Sequence, residues 1–168
     1  LRTLDDDRQW VARPGISALA TIGPLARDAV PKLLPWLHGQ KTDHGREAIK
    51  ALSLIAPRDA AVLEGFATAL GHEQFLFRAA TAEALGEALP DERAGALLVR
   101  AASDRSHYVR LAAVRSLARA SVPPPAFLAA LENARHDRFP SVRAAAVETL
   151  KAWEKKASSK NTLETSRR

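Results

Sequence analysis

Four prolines, Pro24, Pro57, Pro90 and Pro123, stand 33 residues apart. A fixed period of this size marks a chain built of stacked copies, because each copy is one supersecondary unit that cannot bury its apolar face alone. A second pattern runs between the prolines: Ile16 and Leu19, Ile49 and Leu52, Ala82 and Leu85, Val114 and Leu117, then Val147 and Leu150. A further column three residues on reads Ile22, Ile55, Ala88, Ala120 and Trp153. This spacing is that of a buried helix stripe, and we label these segments the B helices. Beside the stripe runs a column of small residues, Ala18, Ala51, Ala84, Ser116 and Thr149, which lets neighbouring helices approach closely.

Each B helix closes on a breaker: Ile-Gly-Pro at 22–24, Ile-Ala-Pro at 55–57, Ala-Leu-Pro at 88–90 and Ser-Val-Pro at 121–123. Proline disfavours helix in the residue before it and suits a helix's first turn, so each breaker is expected to stop one helix and start the next. The A helices that follow carry Val30, Leu33, Leu34 and Leu37; Val62, Leu63, Phe66 and Leu70; Leu97, Leu98 and Val99; and Phe127, Leu128 and Leu131. In the fourth copy Leu117 falls 32 residues after Leu85 while Pro123 keeps the 33 spacing, and the triple proline Pro123 to Pro125 absorbs the slip. The fold class expected is all-α, a right-handed α-solenoid of four to five helix pairs, over residues 1–153.

Charge sits unevenly. The net charge is +6, yet residues 151–168 hold six Lys or Arg against Glu154 and Glu164, leaving only +2 for the rest. Residues 154–168, rich in Ser, Lys and Thr, read as a disordered basic tail. There is no cysteine, so disulfides and thiol chemistry are excluded. No apolar run reaches the roughly 18 residues of a membrane span.

A polar column is more informative: Arg78, Arg110 and Arg143 each lie four residues before the first apolar anchor, and Asp104, Asp137 and, in the remaining copy, His72 lie six residues before them. The same offset in copy one gives Asp6 opposite Ala12. An Asp at the turn and an Arg one turn into the helix suit a bond between stacked copies or a helix cap.

Stretches such as Tyr108-Val-Arg-Leu-Ala-Ala-Val-Arg-Ser-Leu117 and Ser141-Val-Arg-Ala-Ala-Ala-Val-Glu-Thr-Leu150 resemble the short bacterial-type HEAT repeats of the phycobilisome-lyase-like group. The similarity covers about residues 4–153. Copy three, Phe77-Arg-Ala-Ala-Thr-Ala-Glu-Ala-Leu-Gly86, matches nearly as well, and copies one and two match in their apolar spacing and in Ile-Gly-Pro. The Trp-x-x-Leu-Gly and Thr-Pro-Leu-His patterns of tetratricopeptide and ankyrin arrays are absent. Against this alignment only Leu1 to Leu4 remain of the A helix that should precede Asp6, so the chain is expected to be a piece of a longer protein.

The resemblance implies a scaffold that binds a protein or peptide along its length, with no cofactor and no catalytic residue. Two alternatives stand beside it: nucleic-acid binding through the Arg-rich fourth repeat and basic tail, and an accessory role like that of the bilin lyases. Deoxyhypusine hydroxylase, which the array also resembles, holds iron with several His-Glu pairs, whereas His72-Glu73 is the only such dipeptide here. His38, His72 and His136 recur near A-helix ends, but distant copies cannot bring ligands to the roughly 2 Å that zinc requires. Trp10, Trp36 and Trp153 fall in different copies and read as core or cap residues.

On the solvent side of the B helices the sign of charge alternates: Arg46 and Lys50, then Glu83 and Glu87, then Arg115 and Arg119, then Glu148. The expectation is a ladder of ion pairs, Lys50, Glu83, Arg115, Glu148, tying copy to copy, with Glu64 outside it. Around copy four, Arg100, Arg105, Arg110, Arg115 and Arg119 with His107 and Tyr108 oppose only Asp104. From these two features the candidate partner-binding residues are Arg46, Lys50, Arg105, Tyr108, Arg115 and Arg119.

Overall fold

The computed structural model describes residues 9–38 and 42–165, with side chains from 13–38 and 44–156. Asp6, the remnant Leu1 to Leu4 and the side chains of Trp10 and Ala12 lie outside the described residues. The B helices are α1 (Gln9–Ile22), α3 (Thr42–Ile55), α5 (Phe75–Ala88), α7 (His107–Leu117) and α9 (Pro140–Thr165); the A helices are α4 (Ala60–Ala69), α6 (Glu92–Ala101) and α8 (Pro125–Ala134). The first A position is held by two 3-10 segments, Gly23–Ala29 and Leu34–Leu37, on either side of the one-turn α2 (Val30–Leu33). Pro31 and Pro35 explain the break-up, since each removes an amide donor from any continuous α-helix. The described residues thus form four helix pairs preceded by α1, an all-helical solenoid.

Each B helix packs on the next, α1 on α3, α3 on α5, α5 on α7 and α7 on α9, more extensively than successive A helices touch one another. One continuous core runs the length, from Ile16 through Leu33, Leu52, Phe66, Leu85, Leu98, Leu117 and Leu131 to Trp153. Ile22 departs from the expected stripe: it is 51 % exposed, because the chain leaves α1 at Gly23 in the left-handed region (φ 65°). Its equivalents Ile55, Ala88, Ala120 and Trp153 are buried.

The prolines of the repeat punctuate but do not cap. α4 and α6 start after Asp59 and Asp91, whose carboxylates accept from the amides of Ala61 and Ala94 at 3.0 Å. At the far end, α9 continues to Thr165 through the segment expected to be a disordered tail. From Ser141 to Thr165 there is no Gly or Pro, and Ala, Lys and Glu are good helix formers, so local propensity extends the helix where overall polarity suggested otherwise.

Two kinds of joint hold the B layer together. Between α5 and α7, and again between α7 and α9, an arginine reaches an aspartate. Between α3 and α5 the equivalent position is Gly45, where a Cβ would stand 2.4 Å from Cε2 of Phe77; the buried Phe77 ring occupies that space and stacks on His72 at 4.3 Å.

Candidate functional site: the B-helix groove

The recurring arginines are committed to structure. Arg78 on α5 donates from Nε and Nη2 to both oxygens of Asp104, each at 2.8 Å, and from Nη1 to the carbonyls of His72 and Glu73 at 2.7 and 2.8 Å. Arg110 on α7 repeats the arrangement on Asp137 at 2.6 and 2.8 Å, with its Nη1 on the carbonyl of Asp104 at 2.9 Å. Arg143 holds the carbonyls of Asp137 and Arg138 in the same way, at 2.8 and 3.0 Å. Each arginine therefore clasps the turn before its own helix, and Arg78 and Arg110 also hold the aspartate of the following copy. Asp104 and Asp137 also brace their own turns, accepting from the amides of Ser106 (2.7 Å) and Phe139 (2.9 Å) two residues on.

These contacts set the titration of the carboxylates. Burial pushes the Asp104 carboxyl up, but the hydrogen bonds from Arg78 and the Ser106 amide, with the charges of Arg78 and Arg105, outweigh it and leave the group below its ordinary value. At Asp137 the Arg110 hydrogen bond dominates and again lowers it, while the Asp137 hydrogen bond raises Arg110.

The expected charge ladder is displaced. Lys50, Glu83, Arg115 and Glu148 form no ion pair among the described residues; the pairs that do cross between B helices are Arg13 with Glu47 at 3.2 Å and Glu87 with Arg119 at 2.7 Å. Glu64, expected to stand apart, is paired with Arg93 of the next A helix. Periodicity fixes which face a residue occupies, but the offset between neighbouring helices decides which turn meets which.

Between α3 and α5 this leaves an open groove of about 600 Å³. Arg46, Lys50 and the Arg13–Glu47 pair flank one side, Glu83 and Glu87 the other, and Ile49, Ser53, Leu54, Ala80 and Ala84 complete its lining. A second groove, about 510 Å³, lies between α7 and α9, with Arg115 and Glu148 over Ala118, Ala144, Ala145 and Ala152. The Glu87–Arg119 pair sits between the two, on the same face.

Of the six candidate residues, Arg46, Lys50, Arg115 and Arg119 share this B-helix face, with Arg119 engaged by Glu87. Arg105 and Tyr108 do not. They lie on the edge formed by the turns into the B helices, where Arg105 reaches the Glu73 carbonyl at 3.4 Å. There Tyr108 stacks on Phe75 at 5.0 Å and meets His107 at 4.0 Å, His107 stacks on Phe139 at 3.9 Å, and Arg138 covers that ring at 4.9 Å. The recurrence of an aromatic residue at 75 and 108, one period apart, was the available signal for this row. The arginine cluster of copy four is dispersed in space: Arg100 caps the α4 carbonyl of Ala67 at 3.0 Å, Arg110 holds Asp137 and Arg119 holds Glu87.

His72 accepts from the Gln74 amide through Nδ1 at 3.1 Å, and His38 and His136 are exposed at separate helix ends; among the described residues no three acidic or histidine side chains converge as a metal site would require. Trp153 is buried and donates from Nε1 to the Ala120 carbonyl at 3.1 Å, while Trp36 rests on His44. Among the described residues no helix is long and apolar enough to cross a membrane.

The family model for HEAT repeats matches residues 63–151, more than half of the chain. The chain belongs to the HEAT-repeat family. Its array is similar to the complex of CpcE and CpcF of phycocyanin lyase from Nostoc sp. PCC7120, at 22 % identity and TM-score 0.70, over 88 % of this chain and 93 % of that one. A designed armadillo repeat protein in complex with the peptide (KR)4 is similar at 20 % identity and TM-score 0.66, over 90 % of this chain and 79 % of that one. Human deoxyhypusine hydroxylase is similar at 25 % identity and TM-score 0.62, over 74 % of the HEAT chain but only 43 % of the hydroxylase. No curated protein is matched by sequence.

Proposed function

We propose that this HEAT array is a non-catalytic scaffold that binds a protein partner along its B-helix face. The observation that carries the reading is the division of labour among its charges. The repeated Arg and Asp columns are consumed within the stack, whereas Lys50, Glu83, Arg115 and Glu148 stand exposed along one open face with no ion pair among the described residues. Stacked repeats present such faces as extended binding surfaces, and the floor of alanines lets a bound chain approach the helices closely. That a designed armadillo protein of similar fold is seen in complex with the peptide (KR)4 supports a peptide-binding use of such an array.

The experiment is comparative retention. Immobilised wild type, a groove variant (Lys50→Glu with Arg115→Glu) and a control on α6 (Glu92→Lys) are exposed to native extract, and what elutes is identified. A protein held by wild type and control but lost from the groove variant is the expected result. Equal retention by all three, or elution of nucleic acid in place of protein, would overturn the reading.

A further inference from the structure

We infer that the B-helix groove selects an extended peptide whose charged residues alternate in sign at every third position, an inference that rests on the scaffold reading above. Lys50, Glu83, Arg115 and Glu148 occupy equivalent places on α3, α5, α7 and α9, separated by 33, 32 and 33 residues. All four are exposed and none has a partner among the described residues. Two observations place them in one row. Lys50 and Glu83 line the same groove, as do Arg115 and Glu148, and the Glu87–Arg119 bond of 2.7 Å one turn further on fixes the register of the middle pair of helices.

Neighbouring packed helices lie about 8 to 10 Å apart, and an extended chain advances about 3.3 Å per residue, so one repeat corresponds to about three peptide residues. The row +, −, +, − therefore reads a peptide of the form Glu-x-x-Lys-x-x-Glu-x-x-Lys. The reversed charge order fits equally when the peptide runs the other way. A uniformly acidic or basic peptide meets two repulsive positions for every two attractive ones. Each exposed pair contributes little alone, so the row discriminates by excluding wrong patterns more than by raw affinity.

The row is also self-complementary about a two-fold axis, which would suit a second copy of the chain. The opposite charges stand across each groove from one another, Lys50 from Glu83 and Arg115 from Glu148, a helix-to-helix spacing that an extended chain matches at about three residues, and the peptide is the occupant proposed.

The test uses fluorescein-labelled peptides of about ten residues with Ser and Asn spacers: alternating, all-acidic, all-basic, and blocked (Glu-x-x-Glu-x-x-Lys-x-x-Lys). At low salt the wild type should bind the alternating peptide on the order of tenfold more tightly than the others. The variant Glu83→Lys with Glu148→Lys makes the row wholly cationic and should prefer the all-acidic peptide instead. Melting curves of both proteins should coincide, because neither glutamate has a bonded partner among the described residues. Amide shifts confined to α3, α5, α7 and α9 with no ranking among peptides would overturn the charge pattern while leaving the groove as a binding face. No shifts there with any peptide would overturn both. A dimer seen by sedimentation in wild type and lost in the variant would give the row to a second copy and overturn the peptide.

Discussion

Arg110 on α7 holds Asp137, which lies at the turn into α9, through two parallel N–H···O bonds of 2.6 and 2.8 Å, and the two side chains are only 12 % and 9 % exposed. The bond joins one repeat to the next and sits at the rim of the core. Breaking such a pair by removing one member leaves an uncompensated charge in a poorly hydrated place. Arg110→Ala, and likewise Arg78→Ala, should lower stability by about 3 kcal/mol in urea unfolding followed by circular dichroism. Arg110→Lys keeps the charge but loses the fork, and should fall between wild type and alanine.

Acid should attack the same joints. The folded-state values of Asp104 and Asp137 lie below the ordinary 3.8. Their contribution is therefore present above that ordinary value and is lost as pH falls through the lower, folded-state one. Melting temperatures recorded from pH 7 downward should drop steeply below about pH 4 in the wild type. The double variant Asp104→Asn with Asp137→Asn should start lower at neutral pH and show a shallower drop.

The displaced ion pairs predict a contrast between two glutamates one turn apart. Glu87 is bonded to Arg119, and Glu83 has no bonded partner among the described residues. Glu87→Lys should cost about 0.5 to 1 kcal/mol at low salt, an effect that salt weakens. Glu83→Lys should leave thermal unfolding unchanged. Equal shifts would mean that the register of α5 on α7 differs from that described.

Close approach of A helices gives a prediction with opposing contributions. Gly95 on α6 is buried, and a Cβ there would come to 2.7 Å from Cζ of Phe127 on α8, whose ring is buried as well. Alanine in a helix interior is favoured over glycine by about 1 kcal/mol, but overpacking typically costs about 1 to 3 kcal/mol. Gly95→Ala should thus be net destabilising, and Phe127→Leu in the same chain should recover part of the loss in a double-mutant cycle.

Losing a helix cap should be a smaller, local matter. Asp91→Ala removes the acceptor for the Ala94 amide at the start of α6 and should cost about 1 kcal/mol. Hydrogen exchange should show the first turn of α6 opening while α7 stays protected.

The helix pairs were legible because a repeated stripe averages out local noise: Ile49, Leu52, Ala82, Leu85, Val114, Leu117 and Leu150 recur at one period and pack, while Val147, at the last repeat, is only half-buried and Ala146 beside it takes the core. The arginine column was legible for the same reason. Which aspartate each arginine takes was not, since Arg78 ignores side chains of its own turn and reaches Asp104, 26 residues away, a choice made by the geometry of stacking. The ladder on the B helices failed similarly by one helical turn. Pro31 and Pro35 broke the first A helix, although its leucines kept their faces. Arg58, which caps the α5 carbonyls of Ala88 and Leu89 at 3.0 and 2.9 Å, left no recurring trace in the sequence. The groove itself arises from what does not meet, and a pattern of residues records positions but not the gaps between them.

The Gly45–Phe77 seat gives the array two mechanical regimes. Where α3 meets α5 the joint is a ring in a socket; where α5, α7 and α9 meet, it is an ionic clasp. A falling pH would loosen the two carboxylate clasps of the C-terminal half, whereas the groove between α3 and α5 lies at the joint that a ring, and no Arg–Asp clasp, holds together.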